Sequence, residues 1–145
     1  MTQDEKKLLF KDLCARLPYG VKILYEGWDS DRDTDYNTME TLIGIDTDFI
    51  HTIVDKTGNN EKHSISVLNW KPYLRLMSSI TEEEKKLLNV ACCFIGGAIK
   101  TTSISAIAKT SSALTWICYK YHLDINGLIE KGLALEAPED MYKFD

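Results

Sequence analysis

No run of apolar residues in this chain is long enough to cross a bilayer. The most apolar stretch, residues 90–99 (VACCFIGGAI), is ten residues long, about half of what a spanning helix requires. Positive charge is not in excess either. The formal net charge is −5, which argues against a nucleic-acid backbone as the main partner. The opening MTQDEKKLLFKDL places acids ahead of its lysines and has no apolar core segment or small-residue cleavage site, so the expected compartment is the cytoplasm. Cys14, Cys92, Cys93 and Cys118 include no CxxC pair, and all four are expected to remain thiols.

Recognisable catalytic and cofactor signatures are absent as well. The stretch GGAIKTTS (96–103) carries Ile99 where a phosphate loop needs glycine directly before Lys100. His51, His63 and His122 stand beside no nucleophile elbow or other fixed local motif. Cys118 and His122, four apart, share a helical face and could begin a zinc site with Cys92-Cys93. Adjacent helical cysteines point about 100° apart, however, and a buried thiol behaves as a small hydrophobe. The expectation is no cofactor and no catalysis.

What is present reads as one globular domain of 145 residues, 44% hydrophobic and 27% charged. Thr2 and Glu5 make a capping box, and Leu9, Leu13, Cys14 and Leu17 recur at helical spacing, predicting a helix over 2–17 that Pro18 stops. From Val21 the period shortens to that of strands. VKILYEGW, TLIGID, DFIHTIVD and HSISVLNW are short runs separated by polar or turn residues, making 19–76 a β region. A second capping box, Thr81 with Glu84, starts a helix that runs toward Gly96-Gly97. Residues 100–112 are rich in Ser and Thr, a further helix is predicted near 113–122, and a short helical turn lies between Asn126-Gly127 and Gly132. The helical region is thus 81–135, with a polar tail over 136–145. The fold class is α+β: an N-terminal helix, a small antiparallel sheet or SH3-like partial barrel of about four to five strands, then C-terminal helices.

Residues 28–40, WDSDRDTDYNTME, carry the sharpest chemical pattern. Asp29, Asp31, Asp33, Asp35, Asn37 and Glu40 occupy the oxygen positions of a twelve-residue calcium loop. Thr34 stands where such a loop needs glycine to turn, and both flanks read as strands rather than helices. The stretch is therefore expected to be an acidic hairpin loop, with calcium binding as the alternative. Trp28, Trp70, Tyr73 and Arg75 are side chains of the type enriched at interfaces. They are the candidate binding residues, although WKPYLRLM (70–77) also reads as a connector buried against the core.

Three blocks, LCARLPYGVK (13–22), KPYLRLMSSITEEEKK (71–86) and NGLIEKGLALEAPEDMY (126–142), together resemble an uncharacterised family of small proteins from gut Bacteroidales genomes and their phages and mobile elements. Leu76 and Ile80 replace the Pro and Met usual in that family, and residues 90–110 do not share its pattern. The resemblance implies a bacterial cytoplasmic setting and an accessory role, and it transfers no catalytic residue. The leading expectation is a non-enzymatic binding module that engages a host protein. The alternative is a protein that binds or sequesters a small anion or nucleotide, with residues 100–112 supplying hydroxyls and amides. An unrecognised enzyme stands third. No membrane partner is expected, and the sequence leaves the oligomeric state open.

Overall fold

Thr2 and Glu5 close the first helix as expected: the Glu5 amide donates to Thr2 Oγ1 at 3.2 Å and the Thr2 amide to Glu5 Oε2 at 2.6 Å. Helix α1 spans Gln3–Arg16 and tightens into a 3-10 turn at Leu17–Tyr19. The chain then leaves through Gly20, whose φ of +66° favours glycine. In this computed structural model residues 1–67, 69–93 and 112–142 are described. The expected helix end at Gly96-Gly97 and residues 100–111 of the Ser/Thr-rich stretch lie outside them.

The buried side of α1 is rotated from the one hydropathy suggests. Leu9 and Leu13 are buried, but Cys14 is exposed, and Asp12 and Arg16 are each 0% exposed. Arg16 Nε and Nη2 donate to the two Asp12 oxygens at 2.5 and 3.0 Å, and Nη2 also reaches the Leu123 carbonyl at 2.8 Å. Asn126 Nδ2 donates to Asp12 at 2.8 Å, and the guanidinium sits 4.9 Å from the centre of the Tyr119 ring. A buried ion pair thus ties the first helix to residues more than one hundred positions later, where burial is tolerated because each charge faces an opposite charge and further polar groups, although Arg16 Nη1 makes no hydrogen bond.

Among the described residues six strands follow in the order β4-β3-β2-β1-β5-β6: β1 Lys22–Asp29, β2 Thr34–Ile45, β3 Phe49–Val54, β4 Asn60–Ser64, β5 Trp70–Leu74 and β6 Leu135–Glu136. All pairings are antiparallel except β5 with β6. Among the described strands the sheet is open, with β4 and β6 at its edges, matching the expected small sheet rather than its alternative, an SH3-like partial barrel. Three expectations need correction. The acidic stretch is mostly strand, because Thr34, Tyr36 and Thr38 alternate on one face of β2 while Asp35 and Asn37 take the other. HSISVLNW is not one strand. The Ser64 hydroxyl accepts the Ser66 amide at 3.3 Å and the Asn69 amide bonds the Val67 carbonyl at 2.9 Å, so local bonding turns the chain between β4 and β5. The tail is not free. Leu135–Glu136 adds a strand beside Tyr73 and Leu74, and the Tyr142 hydroxyl donates to the Tyr73 carbonyl at 2.8 Å while accepting the Lys22 amide at 2.9 Å.

Opposed residues of neighbouring strands share a face, and Ile23, Leu42, Ile50, Trp70 and Leu74 form the core with Leu9, Leu13, Leu128 and Leu133. A second apolar cluster joins Ile80, Leu88, Leu114, Ile117, Cys118, Leu123 and Ile125. It lies between helix α2, Glu82–Cys93, and helix α3, Ser112–Lys120. The second capping box forms, with the Thr81 amide donating to Glu84 Oε2 at 2.8 Å and the Glu84 amide to Thr81 Oγ1 at 3.2 Å. Among the described residues, no helix is long and apolar enough to cross a membrane.

Candidate interaction site

The four aromatic and cationic candidates do not converge. Trp70 is 3% exposed, and its indole N–H donates to the Ser64 carbonyl at 3.4 Å. Tyr73 is half-buried, with its carbonyl held by Tyr142. Arg75 is bound in a two-pronged ion pair with Glu84, Nη1 to Oε1 at 2.6 Å and Nη2 to Oε2 at 3.1 Å, and it also reaches the Ser79 carbonyl at 2.8 Å. Burial pushes the Glu84 carboxyl up, but Arg75 and Thr81 outweigh it and hold the group below its usual range. These three residues stabilise the fold. Trp28 alone is open, at 57% exposure. Tyr25 lies opposite Trp70, so Trp28 and Arg75 extend in opposite directions from that row, on the order of 25 Å apart at strand rise.

The calcium ligand set is also divided. Asp29 pairs with Thr34 across a turn formed by residues 30–33, in which Asp33 takes a left-handed φ of +54°. Glu40 sits six residues along β2, roughly 20 Å from that turn. It is 1% exposed and already saturated: Thr38 Oγ1 donates to Oε1 at 2.8 Å, while Thr52 Oγ1 and His63 Nε2 donate to Oε2 at 2.5 and 2.6 Å. A carboxylate only accepts, so His63 Nε2 carries the proton. The residue that would close the calcium loop is instead an anchor inside the sheet. Among the described residues no group of three or more His, Cys, Asp or Glu side chains is arranged to hold a metal. Cys118 is buried with its thiol pushed up to about 11 by that burial, which disfavours the thiolate a zinc site needs.

The same register that divides the calcium set builds something else. β5 leaves β1 after Tyr25, with a last contact from the Glu26 amide to the Asn69 carbonyl at 2.8 Å. β3 leaves β2 beyond Glu40, with a last contact from the Asp55 amide to the Met39 carbonyl at 3.0 Å. From there Gly27–Asp29 and Thr34–Tyr36 pair only with each other among the described residues, as a two-stranded arm beyond the sheet. Such ribbons are marginal alone. This one is braced on one face by Tyr36, whose ring covers Gly27 so closely that a Cβ there would meet its Cζ at 2.4 Å. The Tyr36 ring packs at a tilt against that of Tyr25, with centroids 6.1 Å apart, and burial together with that neighbour raises the Tyr36 hydroxyl pKa. Tyr25 in turn stacks on His63, with centroids 4.0 Å apart, and His63 is held by Glu40. A continuous strut runs from the buried carboxylate to the arm.

On the opposite face the arm carries Trp28, with Asp35 directly across and Glu26 and Asn37 one row back. Residues 26–37 contain five carboxylates and one arginine, a formal −4 of the chain's −5. Sequence reasoning found Trp28 but missed Glu26, Tyr36 and the strut, since the cross-strand pairing that brings them together is not visible in local spacing.

A cavity of about 660 Å³ opens between the 3-10 turn Met77–Ser79, the start of α2 and the segment 136–142. Its arginine, Arg75, is neutralised by Glu84, and Glu83, Glu136 and Glu139 also line it, a charge balance unsuited to an anion. Of residues 100–112, which were expected to cradle an anion, 100–111 lie outside the described chain, and Ser112 opens helix α3. No family model, curated protein or solved structure matches this chain.

Proposed function

We propose that this α+β domain is a non-enzymatic protein-binding module whose contact element is the β1–β2 arm. The single observation carrying this reading is Trp28, a large aromatic 57% exposed on a ribbon that projects beyond the sheet. Tryptophan is the side chain that most often dominates binding energy when it enters a partner's pocket. Leaving it in water on a braced arm has no benefit to this chain's own core. The resemblance of three sequence blocks to proteins of phages and mobile elements fits an accessory role of this kind.

Capture from an extract of the source organism tests it. Wild-type protein should retain a partner that Trp28→Ala releases, while the two proteins unfold within about 0.5 kcal/mol of each other, as expected for an exposed site. Identical capture by both would remove the arm from consideration.

A further inference from the structure

The face of the arm bearing Trp28 has a chemistry that specifies its occupant. We infer that Glu26, Trp28, Asp35 and Asn37 together take an arginine side chain from a basic segment of a protein partner. This inference rests on the arm being the binding element, and it adds what the arm recognises.

Trp28 offers the most electron-rich aromatic face available to a protein, which attracts a cation placed over it. Asp35 lies directly across from Trp28, and Glu26 is its same-face neighbour on β1. Directly opposed Cβ atoms are about 5 Å apart, so a guanidinium lying on the indole falls within reach of the Asp35 carboxylate, with Glu26 two residues along on the same face. The planar guanidinium suits this arrangement better than an ammonium, because it stacks and donates from its edge at once. Asn37, opposite Glu26, adds a side-chain carbonyl acceptor.

Both carboxylates are uncommitted. Neither Glu26 nor Asp35 has an ion-pair or side-chain hydrogen-bond partner among the described residues. Lys71, on the same face opposite Leu24, makes no ion pair with Glu26, and Arg32 at the turn already has an interaction of its own. The arm therefore presents an aromatic platform flanked by negative charge with no internal cation occupying it. The same charge repels phosphate, which excludes nucleic acid and anionic lipid as occupants of this face.

The test uses the full-length chain labelled with ¹⁵N and a glycine-spaced peptide of three arginines, Ac-GRGRGRG-NH₂. The Trp28 indole signal and the amides of residues 26–28 and 35–37 should move, and Glu26→Gln/Asp35→Asn should weaken binding roughly fivefold to tenfold. Raising salt should weaken it further. Equal shifts with a peptide carrying glutamine in place of arginine would overturn the inference, as would shifts spread equally over the acidic start of α2. Capture of the natural partner separates the two readings. If Trp28→Ala abolishes capture and the double charge variant leaves it intact, arginine recognition falls and the arm stands. If Trp28→Ala leaves capture intact, both fall.

Discussion

The sheet body and the arm are built from the same two strands, yet they follow opposite rules. In the body, β1 has neighbours on both sides and its inner face is closed by α1, so Ile23 is 0% exposed and even charges such as Arg16 are fully buried. In the arm, each strand has one neighbour, and the register that buries Ile23 leaves Trp28 in water. The body spends its polar groups on internal pairs: Asp12 with Arg16, Glu40 with His63, Arg75 with Glu84. The arm keeps Glu26 and Asp35 unpaired. Ion pairs closed within the molecule hold it together, and carboxylates left exposed without one are open to a partner.

The contrast can be broken most severely from the body side. Arg16→Ala would strand the Asp12 carboxylate with one amide donor in a fully buried site and should lower unfolding stability by about 3–5 kcal/mol, read from urea denaturation. An undiminished midpoint would mean that the pair contributes nothing to the core. Glu40→Ala should cost roughly 3 kcal/mol, because three donors lose their acceptor. It should also act unevenly. By hydrogen exchange, the amides of residues 34–38 should lose protection more than those of α1, since the strut ends in the arm.

A pH titration gives the mildest perturbation. His122 is buried beside Arg16 and Arg75, and burial first, then those charges, pull its pKa down to about 3. The unfolded chain therefore binds a proton near pH 6.5 that the folded chain refuses until about pH 3, so stability falls as pH falls through that window. The slope should approach about 1.4 kcal/mol per pH unit below pH 6. Glu84 and Asp46, both held below the usual carboxylate range, add their losses only at lower pH. His122→Asn tolerates the left-handed φ of +56° at this position and should flatten the slope between pH 5 and 6. A slope unchanged in that variant would assign the effect to other groups.

Much of the body was legible because it depends on neighbours in sequence. Both capping boxes, the stop at Pro18 and the opening of β1 follow from residues within a few positions of one another. The features that escaped are those decided at a distance. Asp12 and Arg16 read as surface charge until Leu123 and Asn126 supply their remaining partners. Glu40 reads as a loop ligand until Thr52 and His63 arrive from two other strands. Of the candidate site, Trp28 was visible by residue type, whereas Trp70 could be separated from it only by knowing that β5 lies under the core face. Tyr36 was hidden for a further reason, since its role depends on the missing side chain of Gly27 across the ladder.

The clasp made by Tyr142 has a temporal meaning. Its hydroxyl bridges the Lys22 amide at the start of β1 and the Tyr73 carbonyl in β5, contacts 120 and 69 positions apart in sequence. Arg16 likewise waits 107 positions for the Leu123 carbonyl. A ribosome making this chain from its N-terminus delivers α1 and the first five strands well before the residues that lock them, so the sheet spends most of its synthesis unlatched. The arm, whose hairpin closes across a four-residue turn, needs no such wait to pair its strands, and it is braced once His63 of β4 has been made.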